Sequence, residues 1–189
     1  MNELQLILLA ASGYFAYEVY KHIQTLQDPK PKQNNTTVVN AKDPYILEEE
    51  ADEAYQEEKY EKAYNLLAEA FSIEKNADFV AKMGYIVWQH QKDTQKALEH
   101  FKEAIEIEPL NERYYNSVAS VYRELKEFEN AQEYLEKSLK INPKNAMTHF
   151  NYGNLLVDMN EPQKAKEQYQ KALELDSDFK EAKEELEKL

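Results

Sequence analysis

Apolar positions along this chain follow three successive rhythms. Over residues 4–20, LQLILLAASGYFAYEVY, they run almost unbroken, with Gln5, Ser12 and Glu18 as polar interruptions and no Lys or Arg. Those 17 residues would reach roughly 25 Å as a helix, slightly short of a ~30 Å hydrocarbon core. Leu6 to Ala11 is apolar on every face, which a helix docked by one face does not need. Tyr14, Phe15, Tyr17 and Tyr20 gather at the downstream end, where a half-apolar ring suits the headgroup interface. The pattern predicts one N-terminal transmembrane helix, an anchor over 1–22. Over 28–43, DPKPKQNNTTVVNAKD, helical periodicity vanishes. Pro29 and Pro31 block continuation, and the Asn/Thr stretch is too polar to bury. Residues 23–43 are therefore expected to be a flexible linker.

From residue 44 onward the apolar positions return at helical spacing, and the pattern repeats. Ala63, Ala97, Ala131 and Ala165 are spaced 34 apart three times running. Leu67, Phe101, Leu135 and Tyr169 follow four residues later, and Ile73, Ile107, Ile141 and Leu175 ten later. Pro109 and Pro143 close helices at the same interval. Upstream stands a second small column, Ala51, Gly84, Ala119 and Gly153, at spacings of 33, 35 and 34. An extra residue in 89–93 and a missing one near Asn76 account for the slippage. Antiparallel helices approach closely only where a side chain is nearly absent, and Gly costs about 1 kcal/mol inside a helix, so packing is the reason for Gly84 and Gly153. Each unit is thus a helix, a tight turn and a helix. The predicted helices are 45–58 and 60–74, 77–90 and 94–107, 112–125 and 129–141, 146–159 and 163–175. Phe71, Ile105, Leu139 and Leu173 are expected in the core. Phe179, Ala182, Leu186 and Leu189 form one narrow stripe on a charged last helix.

This period, small-residue pair and terminal proline resemble the tetratricopeptide repeat. The stretch EFENAQEYLEKSLKINPKNA is similar to the family's second-helix pattern. The departures are Glu50 where an apolar residue is usual, Lys75 at the proline position and His149 in place of a bulky apolar residue. The resemblance implies an all-α fold, a right-handed superhelical stack of antiparallel helix pairs. Repeats over 44–76, 77–111, 112–145 and 146–179 would be followed by a capping helix over 180–189.

Charge sharpens the division. Acidic residues outnumber basic ones 36 to 23, a net of -13. The first 43 residues sum to zero, so the whole excess lies in the repeats. That balance disfavours nucleic acid as a partner, because phosphate binding needs clustered Lys and Arg. Cysteine is absent and glycine numbers 3, which excludes a disulfide framework and leaves little for phosphate-cradling loops. None of the four histidines pairs at ligand spacing, and no nucleophile elbow, Walker loop or dinucleotide fingerprint occurs. No enzyme activity, metal or cofactor is expected.

The resemblance places the binding surface on the inner side of each first helix. By register it receives Tyr45, Glu48, Asp52 and Tyr55 from the first repeat, then Lys82, Tyr85, Trp88 and Gln89. The third repeat adds Arg113, Asn116, Ser117, Ser120 and Arg123, and the fourth Phe150, Asn151, Asn154 and Val157. The only tryptophan and the only two arginines of the chain fall in this set. The strongest candidates for partner contact are Tyr85, Trp88, Arg113, Asn116, Arg123, Asn151 and Asn154. Asn donates and accepts, so it can hold a peptide backbone. Arg can grip a carboxylate, and Trp88 with Tyr85 can anchor an apolar residue. The chaperone-type groove of this family holds a terminal carboxylate pair with basic and Asn residues of its first repeat. Glu48 and Asp52 stand there instead.

The expected protein is a membrane-tethered scaffold that binds a protein or extended peptide. Lys21, Lys30 and Lys32 follow the apolar span and no basic side chain precedes it, so the repeats are expected on the cytoplasmic side. The alternative is a secreted or periplasmic assembly factor released by cleavage of the apolar segment. Against it, Met1-Asn2-Glu3 lacks the basic start of a signal peptide.

Overall fold

The computed structural model describes residues 43–189. The expected anchor over 1–22, and the linker apart from Asp43, lie outside the described residues. Among the described residues, no helix is long and apolar enough to cross a membrane, and no strand occurs.

Four helix pairs and a final helix follow one another. The first pair is α1 (Pro44–Gln56) and α2 (Tyr60–Ile73). The second is α3 (Ala77–Ile86), continued by a π-helical turn (Val87–Gln91), and α4 (Thr94–Ile107). The third is α5 (Glu112–Glu124) and α6 (Phe128–Ile141). The fourth is α7 (Ala146–Asp158) and α8 (Pro162–Leu175), and α9 (Lys180–Glu187) ends the chain. Each helix packs on its neighbours in sequence, and α5 also touches α7. The last turn of α1, α5 and α7 is one or two residues shorter than the apolar pattern predicts. Their ends are set by turns, not by the apolar pattern.

Those turns repeat. Glu58, Lys92, Lys126 and Asn160, 34 residues apart, all have φ near +60°. After three of the first helices the next N–H reaches back five residues, Lys59 to Ala54, Glu127 to Tyr122 and Glu161 to Leu156. This is the six-to-one closure of a Schellman motif, which turns the chain back within a few residues. Every first helix is also capped by an Asx side chain: Asp43, Asn76, Asn111 and Asn145 each accept an N–H from the first turn.

The second repeat departs from this plan at one point. It holds the extra residue, and the predicted helix over 77–90 gives way at Val87 to the π-turn. The Val87 carbonyl accepts the N–H of Lys92, five residues on, and of Asp93. A π-bulge is the ordinary way to absorb one inserted residue without losing the helix.

The core runs along the seam within each pair. Ala63, Ala97, Ala131 and Ala165 have no exposed surface. The second small column meets a size-matched partner 16 or 17 residues on. Gly84 faces Phe101, and Gly153 faces Tyr169. Ala51 and Ala119 share their buried clusters with the slimmer Leu67 and Leu135. Of the column expected in the core, Phe71 is buried, but Ile105, Leu139 and Leu173 are half-buried. Second helices pack mainly on first helices, with α8 also against α9 and Tyr64 on α2 bonded to His100 on α4. At the C-terminus Ala182 is buried, Leu186 packs on the Leu156–Tyr169 cluster, and the Phe179 and Phe150 rings lie 4.9 Å apart. Leu189 lies beyond the end of α9 and stays exposed.

Candidate partner-binding face

First helices of successive pairs are tied side by side by polar contacts from one repeat to the next. Lys82 Nζ on α3 donates to Glu48 on α1 at 2.7 Å and to both oxygens of Asp52 at 2.9 Å. Burial works against the Lys82 ammonium, yet Asp52 and Glu48 outweigh it and hold its pKa above the ordinary lysine value. One repeat further, Arg113 Nη2 on α5 stands 3.4 Å from Asp78 Oδ1 on α3. The same oxygen accepts from the Tyr114 hydroxyl at 2.6 Å. Arg123 Nε on α5 meets Asp158 Oδ2 on α7 at 3.2 Å. Trp88 in the π-turn donates its indole N–H to Glu124 on α5.

A second kind of tie links the third and fourth repeats. Asn116 Nδ2 donates to Thr148 Oγ1 at 2.8 Å, Thr148 and Ser138 share a hydrogen bond of 2.9 Å, and Ser138 Oγ reaches the Glu112 carbonyl. That carbonyl can only accept, so Ser138 must donate to it, Thr148 to Ser138 and Asn116 to Thr148. The direction of the chain leaves Asn116 Oδ1 buried with no hydrogen-bond partner. Nearby, the Glu112 carboxylate accepts from Asn142 and Asn145 at 3.0 and 2.9 Å. Burial raises its pKa, but these hydrogen bonds prevail and keep it below the ordinary glutamate value.

Around the π-turn lies an aromatic cluster. The Tyr60 and His90 rings stack 3.4 Å apart, and His90 Nε2 shares a 3.0 Å hydrogen bond with the Tyr55 hydroxyl. Tyr55 leans on Tyr85, and Tyr85 meets Trp88 edge-on with centroids 6.4 Å apart. Burial, then Tyr85 and Tyr60, push the Tyr55 pKa up to about 12, so its hydroxyl keeps its proton.

The seven strongest sequence candidates therefore take different places. Tyr85 and Trp88 form one half-buried aromatic step beside the π-turn. Arg113 and Arg123 each hold a carboxylate of the neighbouring repeat. Asn116 sits beneath the surface, 7% exposed. Asn154 Oδ1 accepts the Tyr169 hydroxyl at 2.8 Å. Asn151 is half-buried on α7. The register analysis did not single out Asp78, Glu124 and Asp158. A signal was available: each stands 35 or 36 residues from Arg113, Trp88 or Arg123, one repeat along. No group of His, Asp and Glu that could hold a metal occurs among the described residues.

A stack of antiparallel helix pairs with a 34-residue period defines the class as a helical repeat solenoid. Residues 110–178 match the tetratricopeptide repeat family. Solved structures agree in fold. The chain is similar to pilF of Pseudomonas aeruginosa with a TM-score of 0.67 and 23% identity, over 76% of this chain and 65% of that one. To a crystal structure of MamA the TM-score is 0.61 with 18% identity, over 72% and 80% of the two chains. To MamA 41-end from Desulfovibrio magneticus RS-1 it is 0.62 with 19% identity, over 73% and 78%. At these identities the likeness concerns the fold alone. No curated protein matches the chain in sequence.

Proposed function

We propose that this protein is a membrane-tethered scaffold whose row of first helices binds an extended segment of a partner protein. The observation that carries the reading is the row of ties from α1 to α7. Lys82, Arg113, Trp88 and Arg123 each reach a side chain of the neighbouring first helix, which sets the four helices side by side as one polar surface. An extended peptide laid across them can use polar side chains for its backbone and the Tyr85–Trp88 step for an apolar residue. The match of residues 110–178 to the tetratricopeptide repeat family, a family of interaction scaffolds, supports the reading.

The tether rests on the apolar run 4–20 and the polar stretch after it. Holding the repeats beside a bilayer raises their effective concentration for partners at that surface. The three lysines that follow the span support a cytoplasmic position for the repeats.

Photocrosslinking in cells tests both parts. A crosslinking residue at Ser120, on α5, is expected to capture a partner that one at Glu99, on α4, does not. Deleting residues 1–22 is expected to release the protein from sedimented membranes and to weaken that capture. Equal capture from both positions refutes the surface. Unchanged sedimentation, or a mature chain that begins downstream of residue 22, refutes the tether.

A further inference from the structure

The face formed by the first helices has a charge arrangement that selects its ligand. Its three bases are committed to ties, and in every tie the carboxylate is the more exposed member. The Lys82 side chain is 10% exposed against 18% for Glu48 and 32% for Asp52. Arg113 is 20% exposed against 31% for Asp78. Arg123 is 36% exposed against 45% for Asp158. Glu124, the acceptor of Trp88, is exposed as well. The bases thus lie beneath and the acids are presented. An incoming carboxylate would meet, beside each base, the acid already paired with it at close range. An ammonium or guanidinium meets the exposed oxygens directly and leaves each tie intact.

We infer that the ligand of this face is an extended, basic peptide segment, with Lys or Arg side chains over the Asp52, Glu124 and Asp158 carboxylates and an apolar residue at the Tyr85–Trp88 step. The inference rests on the row of first helices being the binding surface and adds the chemistry of what it binds. With first helices about 10 Å apart, four of them span roughly 30 Å, which an extended chain covers in about nine residues. Attraction of this kind weakens as salt screens it.

The chain's only tryptophan lies in the face, so its emission reports occupancy there. The test titrates the full chain, in a mild nonionic detergent, with three synthetic nine-residue peptides. They share their apolar residues and differ only in carrying Lys, Gln or Glu at alternate positions. The expected order is Lys tightest, Gln at least about tenfold weaker and Glu without measurable binding, with the Lys affinity falling as salt rises. The variant Asp52→Asn/Glu124→Gln/Asp158→Asn is expected to lose at least about fivefold for the Lys peptide. Glu99→Gln/Glu106→Gln/Glu129→Gln, an equal charge change on the second helices, should lose less than twofold. Equal loss in the two variants overturns the inference, because any acidic surface would then serve. Equal affinity for all three peptides with Trp88 responding also overturns it, while leaving the binding surface in place. Silence of Trp88 towards every peptide removes both. If the first variant fails to fold, the peptide series and its salt dependence on the native chain decide.

Discussion

At Gly153 the absent side chain is occupied by another residue. A Cβ there would overlap the ring of Tyr169, and one at Gly84 would stand 3.0 Å from His100 Cβ and 3.1 Å from Phe101 Cε1. Glycine therefore occurs where the second helix brings an aromatic ring, and alanine where it brings leucine. Gly153→Ala is expected to cost about 1–3 kcal/mol, because Tyr169 is buried and cannot move aside without strain. Tyr169→Leu creates the pairing found at Ala119 and Leu135, so the double variant should be more stable than the sum of the single effects. Urea denaturation of the two single variants and the double variant measures the coupling. Strictly additive losses would show that the two residues do not share one space. This column was legible in the sequence, since four small residues in register have one cheap explanation. The identity of the facing residue was legible only in part. Phe101 and Tyr169 stand at the right offset, but which ring enters which gap depends on helix rotation, which periodicity does not define.

Among the elements, the π-turn shows what spacing can and cannot reveal. The interval of 35 from Gly84 to Ala119 announces an inserted residue, but an insertion can lengthen a loop as easily as it widens a helical turn. Here the widened turn carries His90 onto Tyr60, where the ring is stacked and bonded to Tyr55. Burial, and then Lys92, depress the His90 pKa against an opposing pull from Glu58. His100 on α4, bonded to Tyr64, is depressed by burial and then by Lys96, against Glu99. Both folded values lie below the unfolded one, so the native state favours the neutral rings. Their contribution is fully present above the unfolded pKa of about 6.5 and is lost as pH falls through it towards the folded values. Glu112, with its pKa depressed below the glutamate value, acts only at lower pH and does not interfere. Acidification also relieves the net negative charge, so the comparison is between proteins. From pH 7.5 to 5.5 the native chain should lose more stability in urea than His90→Gln/His100→Gln does. Parallel curves for the two would refute the assignment.

For the repeat domain as a whole, stability passes only between neighbours, because helices pack on their neighbours in sequence and α5 on α7. The polar ties follow the same rule, each joining one repeat to the next. Opposite charges 35 residues apart hinted at those ties, but whether two long side chains meet depends on the twist between repeats. In such a stack the last unit depends on its cap. Helix α9 touches α8 and covers the fourth repeat through Phe179, Ala182 and Leu186. Deleting residues 179–189 uncovers Tyr169 and Phe150 from one side but leaves the first two repeats with every neighbour they had. The loss should therefore be graded along the chain. Amide exchange in α7 and α8 is expected to accelerate strongly, and in α1 to α4 hardly at all. Trp88 lies in the second repeat, so its fluorescence should report a urea midpoint close to that of the native chain, while helical circular dichroism falls away earlier. Coincident transitions at a common lower midpoint would mean that the four pairs unfold as one unit. The ties between first helices would then carry cooperativity across the whole row, and nearest-neighbour packing would not suffice to describe the domain.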